Sequence, residues 1–163
     1  MKTRKFFSLL IMLVFVPVFM VSAQKANFSG EWKINKEKLT VVENQLVLSK
    51  ITIQLKADSL LTTRVYENGM GEEFPFDENL TLDGKECKIV IYEMPRSSKA
   101  TLTPEGAITI ASATTFYGNS GQEDMVAKET WKIDNEGKIL TLDFTNTMSG
   151  VESTGTYIYD KAN

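Results

Sequence analysis

Short stretches in which apolar and polar residues alternate recur along the chain, and this period-two pattern restricts its fold most. Ile51–Leu55, Leu61–Val65 and Leu140–Phe144 are examples. Alternation over roughly four to eight residues indicates strands with one face buried and the other in solvent. Turn-forming pairs such as Asn68-Gly69 and Asp83-Gly84 separate the stretches, because these residues tolerate the positive φ of a tight hairpin.

The spacing of these stretches predicts roughly eight to ten strands in an all-β fold, either an antiparallel sandwich or a barrel. Only residues 35–48 offer a helical spacing, through Leu39, Val42 and Leu46, and the valines of this segment favour extended chain or a loose crossing segment. Two glycine-containing segments, 69–79 and 117–125, are predicted to be mobile loops, with Gly69–Gly71 and Gly118–Gly121 as possible gates.

Residues 1–23 have the three-part pattern of a cleavable signal peptide. Lys2, Arg4 and Lys5 precede an apolar run, and the small residues before Gln24 suit cleavage after Ala23. The run is short for a membrane span, so we expect no stable membrane insertion once it is removed. The pattern predicts a secreted or periplasmic protein whose single domain is 24–163.

Composition excludes several classes of function. Removal of residues 1–23 leaves 15 basic against 21 acidic residues, a formal charge of −6, which argues against nucleic acid and anionic membranes as partners. The chain has no histidine, so Ser-His and Cys-His catalysis and histidine-ligated metals are excluded. Cys87, the single cysteine, is interpreted as a buried apolar side chain. No cofactor or metal site is predicted.

Motifs at both ends of the domain suggest a family. Gly30 and Trp32 open it within Phe28–Lys33, and the aromatic-rich Thr154–Lys161 closes it, with Trp131 on a strand between them. This order resembles the calycins, and in particular the small secreted lipocalin-like proteins of bacteria. The resemblance implies an antiparallel up-and-down β-barrel, in which Gly30, Trp32 and Trp131 have structural roles and the N-terminal Trp caps the narrow end.

A barrel of this size is either filled by its own side chains or holds one small ligand. Aromatic and methionine side chains provide adaptable apolar walls with a few hydroxyl groups. The candidate lining residues are Tyr66, Phe74, Phe76, Tyr92, Phe116, Tyr117, Met125, Met148, Tyr157 and Tyr159.

Arg64 is the candidate anion anchor, and its alternative is a solvated strand face. Intracellular fatty-acid-binding proteins, which are calycins, hold a carboxylate with an Arg-x-Tyr pair on the last strand. The matching positions here are Tyr157 and Tyr159, so the arginine of that pair is absent. Carboxylates at residues 72–78 and at 123–124 are interpreted as solvated loop charge.

The sequence therefore predicts a non-catalytic protein that binds a small apolar or amphipathic molecule inside a barrel. The alternative is a filled barrel that contacts a protein or glycan through its surface, for example as a protease inhibitor. An enzyme based on acidic residues and tyrosine ranks last, because no catalytic constellation is visible.

Overall fold

The computed structural model describes residues 26–39, 46–118, 121–134 and 136–162. The predicted signal peptide and its cleavage site lie outside these residues. The described chain forms ten antiparallel strands in one sheet, with the order β4-β3-β2-β1-β10-β9-β8-β7-β6-β5. The strands are β1 (Gly30–Ile34), β2 (Val47–Lys56), β3 (Ser59–Glu67), β4 (Glu73–Thr81), β5 (Cys87–Ile91), β6 (Met94–Leu102), β7 (Ile108–Gly118), β8 (Gly121–Ile133), β9 (Ile139–Met148) and β10 (Val151–Lys161).

The sheet curls into a nearly closed up-and-down barrel, which confirms the predicted fold class. Strand β1 pairs with both β2 and β10, so the two halves of the meander join through the first strand. The sheet order leaves β4 and β5 as its two edges, and β4 lies against β5 and β6 through side chains. We call this line of side-chain contacts the seam.

Alternation of burial along β7 shows how the sequence forms a strand of this sheet. In β7, Ile108, Ile110, Ser112 and Thr114 are buried, while Ala111 between them is exposed. One face of β7 therefore points into the barrel and the other points to solvent.

Two segments differ from the sequence-based prediction. Residues 73–79 belong to β4, which pairs along its whole length with β3, so the loop there is only 68–72. The strand pattern of Phe74, Phe76 and Leu80 outweighs the nearby glycines and Pro75. Strands β7 and β8 likewise extend through most of 117–125, and residues 119–120 lie outside the description. Within 35–48, the described part holds a single 3-10 turn (Lys36–Lys38) and the start of β2, and residues 40–45 are not described.

One end of the barrel, which we call the closed end, is sealed by the start of the domain. Phe28 and Trp32 have no solvent exposure, and the Trp32 indole Nε1 donates to the Phe28 carbonyl at 2.8 Å. The Lys161 ammonium lies 5.1 Å from the centroid of the Trp32 ring, which favours a cation–π contact. Gly30 has a φ of +142°, and a Cβ there would lie 2.7 Å from the Lys161 side chain, so this bend requires glycine.

The apolar core fills the closed half of the barrel. Its fully enclosed members include Ile51, Leu60, Leu80, Ile108 and Leu140, which come from five different strands. No helix of the described chain combines the length and the apolar character that a membrane crossing needs.

Candidate binding site

The interior changes character toward the opposite end, the open end, which holds the turns after β3, β5, β7 and β9. Inward-facing positions there are only partly buried, in contrast to the sealed core. We call this lining the cup. Its apolar members are Tyr66, Phe74, Phe76, Phe116, Met125, Phe144, Met148 and Tyr157.

Aromatic contacts organise the cup. Tyr66 and Phe76 stack with their ring centroids 6.1 Å apart, and Phe144 packs against Tyr157 at 4.8 Å. Phe144 lies over Gly155, its partner on β10, because a Cβ at Gly155 would lie 2.6 Å from the Phe144 ring. Glycine therefore makes the space that this ring occupies.

Beneath the cup lies a group of buried charges centred on Arg64, which is fully enclosed. Arg64 Nη1 donates to both carboxylate oxygens of Glu129, at 2.7 and 3.0 Å. The Trp131 indole Nε1 donates to Glu129 Oε2 at 2.8 Å, and the Arg64 guanidinium lies 5.0 Å from the Trp131 ring centroid. Burial alone would lower the pKa of Arg64, but the charges of Glu129 and Glu78 hold this pKa above its usual range.

A second pair of charges crosses the seam. Glu78 on β4 accepts from Arg96 Nε at 3.1 Å and from the Ser98 hydroxyl at 2.6 Å, both on β6. Arg96 Nη1 also donates to the Thr114 hydroxyl at 3.0 Å. Burial alone would raise the pKa of Glu78, but Arg64 and Arg96 hold it below its usual range, so this carboxylate is charged at neutral pH.

Hydrogen bonding in this charged group, which we call the quartet (Arg64, Arg96, Glu78 and Glu129), is incomplete. Arg64 Nε, Arg64 Nη2 and Glu78 Oε2 are buried and have no hydrogen-bond partner among the described residues. Arg64 Nη2 and Glu78 Oε2 are 3.7 Å apart, which is too long for a hydrogen bond. Unpaired polar atoms of this kind cost about 1–3 kcal/mol each and call for an explanation.

The predicted lining residues divide into three groups. Tyr66, Phe74, Phe76, Phe116, Met125, Met148 and Tyr157 occupy inward-facing positions of the cup. Tyr92 and Tyr117 are 55% and 64% exposed at the open end, where Tyr92 meets the edge of Phe74. Tyr159 is fully buried, and its hydroxyl donates to the Leu48 carbonyl at 2.8 Å, so it belongs to the core. Burial raises the pKa of Tyr66, Tyr157 and Tyr159, which keeps their hydroxyls protonated at neutral pH.

The structure corrects the interpretation of several charged residues. Arg64 is enclosed and ion-paired, so the solvated-face alternative is wrong. Glu78 is 3% exposed, so it is not solvated loop charge. Sequence reasoning missed Glu129, Arg96 and Ser98 as interior polar residues, although each alternates with other inward-facing positions of its strand. That alternation was the available signal.

Other features of the structure, namely the free cysteine, the acidic side chains and a surface groove, do not indicate a particular ligand. Cys87 is partly buried and has a free thiol, whose pKa is raised by burial and by Glu78. The described residues include no group of three or more Cys, Asp or Glu side chains placed to hold a metal ion. A surface groove beside the 3-10 turn, across β10, β1, β2 and β3, is lined by charged side chains such as Lys36, Glu67 and Asp160.

A scan against protein-family models and a search of the curated proteins gave no match to this chain. The resemblance to the calycins therefore stays a prediction.

Proposed function

We propose that this chain is a secreted, non-catalytic binding protein that holds a small amphipathic molecule in the cup. The observation that carries the proposal is the asymmetry of the interior. The closed half is sealed by Phe28, Trp32 and the aliphatic core, whereas the inward face at the open end is aromatic and partly exposed. Aromatic walls with a few polar groups beneath them are typical of sites for small molecules.

Binding would work by removing apolar ligand surface from water against these rings. The apolar part of the ligand would contact Phe116, Met125 and Phe144, and its polar end would point down toward the quartet. The ligand would lie between the open end, which gives access, and the charged layer, which sets its orientation.

Native mass spectrometry of the purified chain tests this proposal first. We expect an additional mass that denaturation releases and that can be identified after extraction. We also expect the neutral dye Nile red to bind in the cup and to be displaced by the extracted molecule.

Neighbouring residues of β8 provide a matched pair of variants. Met125 faces inward and Val126 is 45% exposed on the outer face. Met125→Asp should weaken dye binding at least about tenfold, because a carboxylate would enter an apolar site, whereas Val126→Asp should leave binding unchanged. Equal effects of both variants, or no bound molecule and no dye binding, would reject the proposal.

A second function is favoured by a different observation. Each described turn region at the open end displays an exposed apolar side chain, whereas the turns at the closed end carry Asp58, Asp83, Glu105 and Asp134. Exposed apolar residues concentrated on one end can anchor a protein partner. This apolar rim consists of Leu46, Met70, Tyr92, Tyr117 and Val151.

If the protein acts through this rim, the triple variant Met70→Ser/Tyr117→Ser/Val151→Ser should no longer associate with the protein partner. The same triple variant should leave Nile red binding in the cup unchanged. The two functions therefore separate experimentally.

A further inference from the structure

We propose that the polar end of the ligand is an uncharged group that both donates and accepts a hydrogen bond, such as a hydroxyl or a primary carboxamide. It would bind at the free atoms of Arg64 and Glu78. This inference rests on the proposed function, and it assigns the chemical class of the ligand.

The charges of the quartet are already balanced. The quartet joins two arginines to two glutamates by hydrogen bonds and ion pairs, so its formal charges cancel. All four side chains are at least nine-tenths buried. A carboxylate that entered this layer would add an uncompensated negative charge where little solvent screens it. An uncharged group would preserve the balance.

The free atoms of Arg64 and Glu78 include both donors and an acceptor. Arg64 Nε and Nη2 are donors, and Glu78 Oε2 is an acceptor, so a single group that hydrogen-bonds to both side chains must both accept and donate. A hydroxyl or carboxamide oxygen would accept from Arg64, and the O–H or N–H of the same group would donate to Glu78. A carboxylate has no proton to donate and would leave Glu78 Oε2 beside a second anion.

The free atoms lie beneath the aromatic side chains of the cup. Phe76 is the cross-strand partner of Arg64, and its ring stacks on Tyr66. Both rings are partly exposed, whereas the guanidinium is enclosed. The ligand would reach the free atoms by rotation of the Phe76 side chain. Glu123 also faces inward near the open end, which makes the approach less favourable for an anion.

Three ligands with one chain length test the inference: decanoate, decanamide and decan-1-ol. The competition with Nile red is measured on the protein purified after expression of the full chain. We expect the amide and the alcohol to bind at least about tenfold more tightly than decanoate at pH 7. Decanoate that binds as tightly as the amide would overturn the inference and leave the proposed function intact. Failure of all three ligands together with Nile red would reject the proposed function itself.

Glu78→Gln should largely remove this preference. The substitution removes one negative charge and adds an amide donor, so decanoate affinity should rise about tenfold relative to decanamide. Asp77→Asn is the matched control, because it makes the same change in charge at the neighbouring, exposed position of β4. An unchanged ratio in Glu78→Gln, or an equal change in both variants, would overturn the inference.

A measurement on the unmodified protein keeps the test decisive if Glu78→Gln does not fold. Protonation turns decanoate into an uncharged group that donates and accepts. Its apparent affinity should therefore rise relative to decanamide as the pH falls from 7 toward 5. Decanamide does not titrate in this range, so any change in its affinity reports titration of the protein itself. A ratio of decanoate to decanamide affinity that stays constant with pH would overturn the inference.

Discussion

Arg64 illustrates how a buried charge is held at the residue scale. Desolvation opposes its burial, while Glu129, Glu78 and the Trp131 ring provide compensating contacts. A buried ion pair contributes little net stability when compared with apolar residues of similar volume, because desolvation offsets most of the attraction. Removal of one partner is different, since it leaves the other charge buried without compensation.

Arg64→Met should therefore lower the free energy of unfolding by about 3–5 kcal/mol, because Glu129 and Glu78 lose their shared counterion. The double variant Arg64→Met/Glu129→Met leaves the Arg96–Glu78 pair balanced. It should cost less than the sum of the single changes by about 1 kcal/mol or more. Urea denaturation of the four proteins measures this coupling, and strictly additive effects would contradict it.

Gly155 is needed because it has no side chain, which leaves room for the Phe144 ring. Gly155→Ala should destabilise the barrel by about 1–3 kcal/mol, because the new Cβ would lie 2.6 Å from the Phe144 ring. Gly118→Ala is the control in another strand, since a Cβ there meets nothing within 4 Å and the backbone φ is not left-handed. We expect it to be neutral or slightly stabilising. Equal urea midpoints for the two variants would show that Phe144 does not occupy this space.

The seam is the weak line of the barrel at the element scale. Other neighbouring strands share backbone ladders, whereas β4 meets β5 and β6 without one, and directly after β4 the Gly84 backbone N–H donates to the Ala100 carbonyl of β6 at 2.9 Å. Glu78 accepts hydrogen bonds from Arg96 and Ser98, and the Tyr92 hydroxyl donates to the Pro75 carbonyl at 2.6 Å. Stability of the seam therefore depends on whether Glu78 is ionised.

Acid should weaken the seam through Glu78. The pKa of this carboxyl is lower in the folded state than its ordinary value of 4.5, so its stabilisation is fully present above about pH 4.5 and is lost as the pH falls through the folded-state pKa. We expect urea midpoints to decrease below that pH, and to decrease less in Glu78→Gln. Asp83, Glu86 and Asp134 also have lowered pKa values. They contribute to the acid dependence of the wild type and of Glu78→Gln alike, so the difference between the two pH profiles isolates the contribution of Glu78. Parallel pH profiles would contradict this assignment.

For the whole molecule, the meander could be predicted because strand alternation and hairpin turns are local signals. Segments such as Ile51–Leu55 show the period directly, and adjacent strands pair through short turns. The segment after Gly71 was misjudged because its glycines and Pro75 resemble a loop, whereas pairing of β4 with β3 decides its structure.

The charged layer could not be predicted in the same way. Arg64 and Glu129 are 65 residues apart, and the curvature of the nearly closed sheet brings them together. Alternation places Glu78 on the same face as Phe76 and Leu80, but charged residues are usually exposed, so a solvated position was the default interpretation. Pairing across the barrel depends on strand number and stagger, which the sequence does not display.

The prediction that the whole molecule is secreted rests on residues 1–23, and whether they are removed can be measured. In a host that exports the full chain, we expect the intact mass of the purified protein to correspond to 24–163, because small residues precede the cleavage point and an apolar run precedes them. Ala23→Trp places a bulky ring next to the scissile bond and should leave residues 1–23 attached. Ser22→Trp has the same bulk at the intervening, tolerant position and should still be cleaved. A wild-type mass that includes residues 1–23, or equal processing of both variants, would contradict cleavage after Ala23 and with it the expectation of secretion by this route.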